Sequence, residues 1–600
     1  MKKSNPKKIQ RLKARDDKLG LALSGGGFRA AFFHAGVLAQ MAQSGLLRHV
    51  EVLSTVSGGS IIGALYYLHL KNLLESKPDA EITDRDYQEI IERIEQDFFA
   101  AVQRNIRMRT FLNPFKNIRM SRANYSRSDR IGELYDRHFY RPVVDPKRQT
   151  MIEMRELKIF PQGDKPDFYP LRDNAGRKAK APILLLNATT LNTGHNWRFE
   201  ASKMGEPERS EELAMEIDKN LRLRQPKAYQ DIIAKQQNFE LGLAVAASAC
   251  VPGIFHPLAI SDLYPDDIRV QLVDGGVHDN QGIQGLLDLG CTRFIVSDAS
   301  GQMDDEPDPA TSIASVIGRT NSILMDRVRE EQLFSLLGGG NSPDGDSRPV
   351  AFMHLRRGIS AEAVSWIGPD GTPSTERVSE REPEVAGESF GVAQEVQRLL
   401  SKIRTDLDCF TEVEAYSLML DGYKMSEVEL RSVSGIRDLI PSKVKVNAPA
   451  WRFLKIAPWM AQPTAAYLKQ LEVGNQLLFK IFYLSRMVTS VTLLVVAVIL
   501  MFLWSFFKDE IIGFLARPLT IGRLIAILIL AALGFIPKLS RLIKIIGFLR
   551  KPLEFLVRFF TRALPPAIAS LFVWIDLGIY DQLFLRWGKV ERLESPQSWR

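Results

Sequence analysis

Twenty-one consecutive residues, Met487 to Phe507, carry no charge. As a helix rising about 1.5 Å per residue they would extend about 31 Å, close to the roughly 30 Å of a bilayer's hydrocarbon core. Such a run folds either as a membrane-spanning helix or as a helix buried in a large core. A second uncharged run, Leu524 to Ile536, reaches spanning length if Leu519 to Gly522 is added and Arg523 snorkels to the interface. Residues 508–523 would then be a short hairpin loop between crossings at 487–507 and about 519–536. Residues 538–562 follow, with Lys538, Arg541, Lys544, Arg550, Lys551, Arg558 and Arg562 at helical intervals among Leu, Ile and Phe. That pattern suits an amphipathic helix lying on anionic lipid, and a surface helix of an ordinary bundle shares it. Two crossings return the chain to its starting side, which the basic stretch marks as cytoplasmic.

Six hundred residues exceed one ordinary core, so at least two units are expected. Apolar residues at 45% and charged residues at 25% are globular averages, which places the apolar excess in the last quarter. The chain divides into a basic tail 1–18, a unit 19–440 with insertions at about 71–180 and 301–390, and a membrane-associated helical region 441–600. The tail has no apolar run behind it, so no secretory signal is expected and the unit it leads should face the cytoplasm. Cys250, Cys291 and Cys409 lie far apart, which excludes a disulfide framework or a cysteine zinc site built on CxxC spacing. The net charge of +8 fits a surface that meets anions. Because the densest basic stretch is interleaved with membrane-type residues, anionic lipid is the better partner than nucleic acid.

From Leu19 onward, short apolar strands alternate with helices, the pattern of an α/β layer fold. Residues 19–23 read as a strand, followed by Ser24-Gly25-Gly26-Gly27 and a helix over about 29–44 that Gly45 can cap. Residues 50–56 read as a second strand, Ser57-Gly58-Gly59 as a tight turn, and 61–70 as a second helix. Further buried strands are expected at 182–189, 270–273 and 293–298. Residues 71–180 are polar and without a clear period. Residues 338–349 and 368–388, rich in Gly, Pro, Ser and charge, read as loops or disordered segments.

Three of these junctions carry chemistry. A strand passing through Thr55-Val56-Ser57-Gly58-Gly59 straight into a helix has the shape of a nucleophile elbow, where small flanking residues let the chain turn under the serine. The helix N-terminus favours negative charge developing there, although Ser-Gly-Gly also makes ordinary turns. Ser24-Gly25-Gly26-Gly27-Phe28-Arg29 exposes consecutive backbone N–H groups, a concavity for a phosphate or an oxyanion. No Gly-Lys-Ser/Thr follows and the spacing does not fit a dinucleotide loop, which leaves an oxyanion as the better reading. Val273-Asp274-Gly275-Gly276 sets a carboxylate at a strand end, which alone is more often only a turn. No HExxH or EF-hand spacing occurs, so neither a metal nor a cofactor is expected.

In this order the three features resemble the patatin-like phospholipase family. The stretches Asn187-Ala-Thr-Thr-Leu-Asn-Thr-Gly194 and Ala247-Ser-Ala-Cys-Val-Pro-Gly-Ile-Phe255, with Asn280, also look like segments of that family. The resemblance covers roughly residues 19–300. It implies a patatin-like three-layer α/β fold around a central, mostly parallel sheet, and a serine lipid acyl hydrolase with a Ser–Asp dyad and no histidine. Carried over, Ser57 attacks the ester carbonyl and Asp274 is its general base. The N–H groups of Gly26 and Gly27, with Gly25 as a third candidate, hold the oxyanion, while Arg29 steadies the loop or approaches a lipid phosphate. A weak base such as an ordinary aspartate needs partial desolvation for this work. Ala30 and Thr55 stand where the family commonly has Gly. A triad in the order Ser, Asp, His would have to use Asp298 and His354. The protein expected is a membrane-anchored lipid acyl hydrolase, cleaving phospholipid or lysophospholipid at an anionic surface. An acyltransferase with the same dyad, or a catalytically silent membrane scaffold, remains as an alternative.

Overall fold

β1 (Leu19–Leu23) and β2 (Val50–Val56) are buried along nearly their whole length, as continuous apolar strands covered on both faces must be. They belong to a ten-stranded sheet with β3 (Ile183–Thr190), β4 (Asn196–Phe199), β5 (Lys203–Gly205), β6 (Lys227–Ala228), β7 (Leu258–Ile260), β8 (Val270–Asp274), β9 (Arg293–Asp298) and β10 (Val350–His354). The structure is a computed structural model. It describes residues 17–594 except 121–124, 208–222, 338–347, 360–365, 368–372, 375–389, 442–450, 517–563 and positions 224, 266, 302, 304, 305 and 307.

The helices that matter to the site are α1 (Gly27–Gln43), α2 (Gly58–Ser76), α3 (Asp84–Val102), α4 (Arg127–Tyr135), α5 (Leu241–Ser248), α6 (Ile283–Asp288), α7 (Glu412–Ser432), α8 (Arg486–Ala516) and α9 (Leu564–Ile575). Residues 71–180, polar and unassigned in sequence, are thus largely helical. α3 and α4 each begin with a capping box, at Thr83/Asp86 and Ser126/Asp129.

The sheet runs β10-β9-β1-β2-β3-β4-β5-β6, with β8 on β3 and β7 on β8. From β10 to β3 every pairing is parallel. From β3 onward every pairing is antiparallel. The expectation of a mostly parallel sheet therefore holds for one half only, and the sheet is mixed. The reason lies in the connections: five residues join β3 to β4, enough for a hairpin but too few for the crossover a parallel return needs. β10 also lies inside the stretch 301–390 expected as an insertion, and it extends the sheet beside β9.

Apolar clusters cover both faces. Leu21, Leu23 and Leu53 pack in the cluster that contains α1, α2 and α3, whereas Ala22 and Val52 pack with Ile283 and Leu286 of α6 on the other face. α1 is buried almost all round because it lies between the sheet and α7. Their contact is backbone-close: a Cβ on Gly36 would meet the Met419 carbonyl at 1.8 Å, and one on Gly422 the Phe33 carbonyl at 2.2 Å. The same core takes in Trp451, Phe453, Met460, Tyr467, Val590 and Leu593, so it does not end at residue 440.

α8 is 31 residues long. Its stretch Arg486–Phe506 has a mean hydropathy of 2.6 and is not buried, the one helix among the described residues long and apolar enough to cross a membrane. It continues through Lys508 to Ala516, which replaces the first part of the expected hairpin loop with helix. The second expected span, 519–536, and the basic segment 538–562 lie outside the described residues, as does nearly all of the tail 1–18.

Candidate active site

β2 and β8 approach each other end to end along one edge of β3. Val56 pairs with Asn187 and Asp274 with the next residue, Ala188, in opposite senses. The chain leaves β2 at Ser57 and β8 at Gly275, so Ser57 and Asp274, 217 positions apart, are brought together. Ser57 adopts φ 50° and ψ −115°, a conformation that costs a non-glycine residue about 1–3 kcal/mol. Its neighbours over-determine that shape. Ser57 N–H donates to Ser248 Oγ at 3.0 Å, Ser248 Oγ donates to the Asn187 carbonyl at 2.6 Å, and Ser60 Oγ lies 2.8 Å from Ser248 Oγ. Gly59 N–H donates to the Ser24 carbonyl at 3.1 Å. The glycines are needed for contact, since Cβ atoms on Gly58 and Gly59 would stand 2.1 Å from the Gly27 carbonyl and 2.2 Å from that of Leu23.

Asp274 is 6% exposed. Its Oδ1 accepts from Gly276 N–H at 2.8 Å, and the Ser57 side chain is near enough to act on its carboxylate. Burial raises its pKa to about 6, against the opposing pull of Gly276 N–H and the Ser57 side chain. The carboxylate is therefore a stronger base than an exposed aspartate and is still ionised at neutral pH. Thr189 Oγ1 donates to the Asp274 carbonyl at 2.9 Å, and Asp274 N–H donates to that of Cys250 at 2.9 Å, which fixes the strand end.

The glycine loop corrects one expectation. Gly25 N–H donates to the Asn280 carbonyl at 2.9 Å, so it is already engaged and cannot serve as a third oxyanion donor. Gly26 and Gly27 adopt φ 135° and φ 57°, both in the region that favours glycine. Their N–H groups have no acceptor among the described residues, as expected at the start of α1. Gly58 N–H, at the start of α2 and against Gly27, is in the same condition and is the better third candidate. A Cβ on Gly25 would lie 2.3 Å from Asn280 Oδ1 and 3.2 Å from Ser57 Cβ, and one on Gly276 would lie 2.5 Å from Asn280 Oδ1. Asn280 thus wedges between the two glycine turns.

Arg29 is buried, and its guanidinium is taken up by backbone carbonyls. Nη1 donates to the Ser401 and Ile403 carbonyls at 2.9 and 2.8 Å, and Nη2 to that of Ala299 at 3.0 Å. Burial lowers its pKa to about 10, partly offset by Asp298, so it stays charged. Of the two roles expected, this geometry fits loop support. Phe28 N–H donates to the Asp406 carbonyl at 3.0 Å, so segment 401–406 closes the back of the loop.

Neither His34 nor His354 serves the dyad. His34 lies between Ser297 Oγ and the Ser24 carbonyl at 2.7 and 3.0 Å, and burial lowers its pKa to about 4. His354 ends β10, three strand positions from β2, or about 14 Å at normal strand spacing. Asp298 accepts from Ser300 N–H, Ser300 Oγ and Gln281 Nε2 at 3.0, 2.6 and 3.2 Å. The groups acting on Asp274 include no histidine. An Asp298–His354 triad is incompatible with this arrangement.

Ser248 and Asp406 were not singled out from sequence as parts of the site. Ser248 lies in the stretch 247–255 that carries the family resemblance, so its segment was legible and its role was not. Asp406 acts through its carbonyl, which any residue would supply, and sequence offers no signal for it.

Residues 21–287 match the family described as patatin-like phospholipase. Among solved structures the chain is similar to human GIVD cytosolic phospholipase A2, at 11% identity and a TM-score of 0.34, covering 71% of this chain and 60% of that one. The same human protein in complex with methyl gamma-linolenyl fluorophosphonate and terbium chloride gives 12% and 0.33, with the same coverage. VipD from Legionella pneumophila gives 12% and 0.26, covering 95% and 91%. The chain spans about 60% of the length of the human phospholipase. No curated protein gives a match.

Proposed function

Residues 21–287 form a patatin-like phospholipase domain, and from that premise we propose that the chain is a membrane-anchored lipid acyl hydrolase with a Ser57–Asp274 dyad. The Ser57 side chain acting on the buried Asp274 carboxylate, at the meeting point of β2 and β8, supports the reading. Ser57 Oγ attacks the ester carbonyl while its proton passes to Asp274. The oxyanion forms opposite the N–H groups of Gly26, Gly27 and Gly58, which are oriented before reaction and so favour the transition state. Collapse breaks the ester C–O bond, and the departing alcohol takes the proton from Asp274. Water then attacks the acyl-Ser57 ester, again giving its proton to Asp274. Release of the fatty acid returns that proton to Ser57 Oγ.

The substrate class follows from family and setting: phospholipid or lysophospholipid in the membrane that α8 enters, with the catalytic domain on the cytoplasmic side. The apolar, unburied stretch Arg486–Phe506 of α8 supports the anchor. Full-length protein reconstituted into phospholipid vesicles should release fatty acid, and Ser57→Ala should not. Alkaline carbonate should leave the wild type in the membrane fraction. Fatty acid release by Ser57→Ala at the wild-type rate refutes the hydrolase, and extraction by carbonate refutes the anchor.

A further inference from the structure

The chain carries exposed apolar residues outside α8, and several lie in one connected region. Val251 and Ile254, 38% and 58% exposed, form a loop rooted at Cys250, whose carbonyl accepts from Asp274 N–H. The loop is therefore the rim of the active site. Arg127 Nη1 donates to the Ile254 carbonyl at 3.2 Å, and its guanidinium lies 5.1 Å from the centre of the Phe111 ring. The Phe111 carbonyl accepts from Ser570 Oγ of α9 at 2.9 Å. α9 buries Ser570 and Val573 but exposes Leu571, Phe572 and Trp574, while nearby Phe115 is 81% exposed. Beyond α9, the Tyr580 ring packs on Phe482 at 5.0 Å and its hydroxyl lies 3.5 Å from Thr492 of α8. Contact by contact, the rim of the site is continuous with the base of the apolar helix.

Cations border this region. Arg109 Nε donates to the Arg104 carbonyl at 2.6 Å, and Arg104, Arg109, Arg130 and Arg137 all act on His138. Arg130 pairs with Glu133. Arg104, Arg109 and Arg137 have no ion pair among the described residues. Asp581 is the one acid that acts on Arg109, and it is held at 2.6 Å by Asn105 Nδ2. Three like charges gathered without an ion pair of their own favour an anionic partner, and exposed aromatic side chains beside them favour one with an apolar interior.

We propose that the 251–255 loop, Phe115 and the exposed side of α9 dock on an anionic phospholipid bilayer, with Arg104, Arg109 and Arg137 against the headgroups. This deepens the reading of a membrane-bound acyl hydrolase and rests on it. Docking turns the rim of the Ser57 site to the lipid surface, so an acyl ester enters from the bilayer without crossing bulk water. The surface is distinct from α8: the helix tethers the chain, and the docking face sets the orientation of the site.

The test uses full-length Ser57→Ala protein, so that lipid is not consumed, reconstituted into phosphatidylcholine vesicles with or without 30% phosphatidylglycerol. The native cysteines are buried, so Ile254→Cys and, separately, Phe115→Cys accept an environment-sensitive fluorophore. Leu171→Cys is the control. It is 42% exposed and belongs to the 170–180 region that meets the start of β2 through Lys180 N–H and the Arg48 carbonyl, away from Ser57. Labels at 254 and 115 should shift to the blue and be quenched by lipid-borne nitroxide in the anionic vesicles, and the label at 171 should not. Replacing Arg104, Arg109 and Arg137 together with Ala should lower the docking equilibrium constant by roughly a hundredfold, about fivefold per arginine. Labels at 254 and 115 that remain in water, or docking that survives the triple replacement, overturn the proposal. Because the readout needs no turnover, either result is independent of whether the wild type hydrolyses lipid.

Discussion

A Cβ on Gly63 would stand 2.6 Å from Thr55 Cγ2, so the threonine at the first elbow position fills space that α2 leaves open. Thr55 Oγ1 also donates to the Leu185 carbonyl at 3.0 Å and lies 3.0 Å from Ser60 Oγ. The departure from Gly is therefore compensated locally. Gly63→Ala should destabilise the protein by about 1–3 kcal/mol through overpacking. An unhindered Gly→Ala change within a helix would instead stabilise by up to about 1 kcal/mol. Thr55→Ser, which removes Cγ2, should recover most of the loss in the double variant. Thermal unfolding of the three variants reads both effects, and a neutral Gly63→Ala contradicts the account.

The pH dependence of turnover should follow Asp274. Its raised pKa of about 6 means kcat/KM falls tenfold per pH step below that value, as the base is protonated. For stability the sign is opposite to that of a salt-bridged aspartate. The folded carboxyl holds its proton more tightly than the unfolded one, so its contribution is full below pH 3.8 and is lost as pH rises through about 6. At pH 7 the buried charge costs about 3 kcal/mol. Asp274→Asn should thus raise the unfolding midpoint at pH 7 while abolishing turnover. A lower midpoint would show that the ionised carboxylate stabilises the fold.

Arg29→Met leaves the Ser401, Ile403 and Ala299 carbonyls without their charged donor. A loss of about 3 kcal/mol or more in stability is expected, at about 1 kcal/mol or more for each bond. The KM for phospholipid and for an uncharged acylglycerol should change by the same factor. A selective rise in KM for the phospholipid would restore the phosphate contact as the role of Arg29.

The strand–glycine–helix junctions were readable because each motif is local: Ser57 needs its elbow, and Gly26 and Gly27 need positive φ within a few residues. The antiparallel half of the sheet was not, because β4 to β6 are two to four residues long and carry too little pattern. Gly25 illustrates a different limit. Its type and position fit an oxyanion donor, yet its N–H is taken by Asn280 O, a partner more than 250 residues away. Arg29 likewise shows its acceptors only in three dimensions. The core helix α1 was found about two residues late at its start, since its first turn is the glycine loop itself.

Gly26→Ala should lower kcat by about 100 to 1,000-fold with a much smaller change in KM, because the N–H groups act on the developing oxyanion. The added methyl would meet the Ala299 carbonyl at 2.8 Å at φ 135°, so the loop must shift. Steady-state kinetics on a micellar ester gives the split. An effect confined to KM would instead assign the loop to ground-state phosphate binding.

The dyad is tested most directly by covalent labelling. A fluorophosphonate probe applied to the full-length protein, followed by peptide mapping, should place the adduct on Ser57. Ser57→Ala should abolish labelling, and Asp274→Asn should lose most of it while remaining folded. The double variant should be scarcely worse than either single one, since the two residues act as a unit. His354→Gln should label normally. An adduct on another serine, or full-rate labelling of Asp274→Asn, would contradict the account.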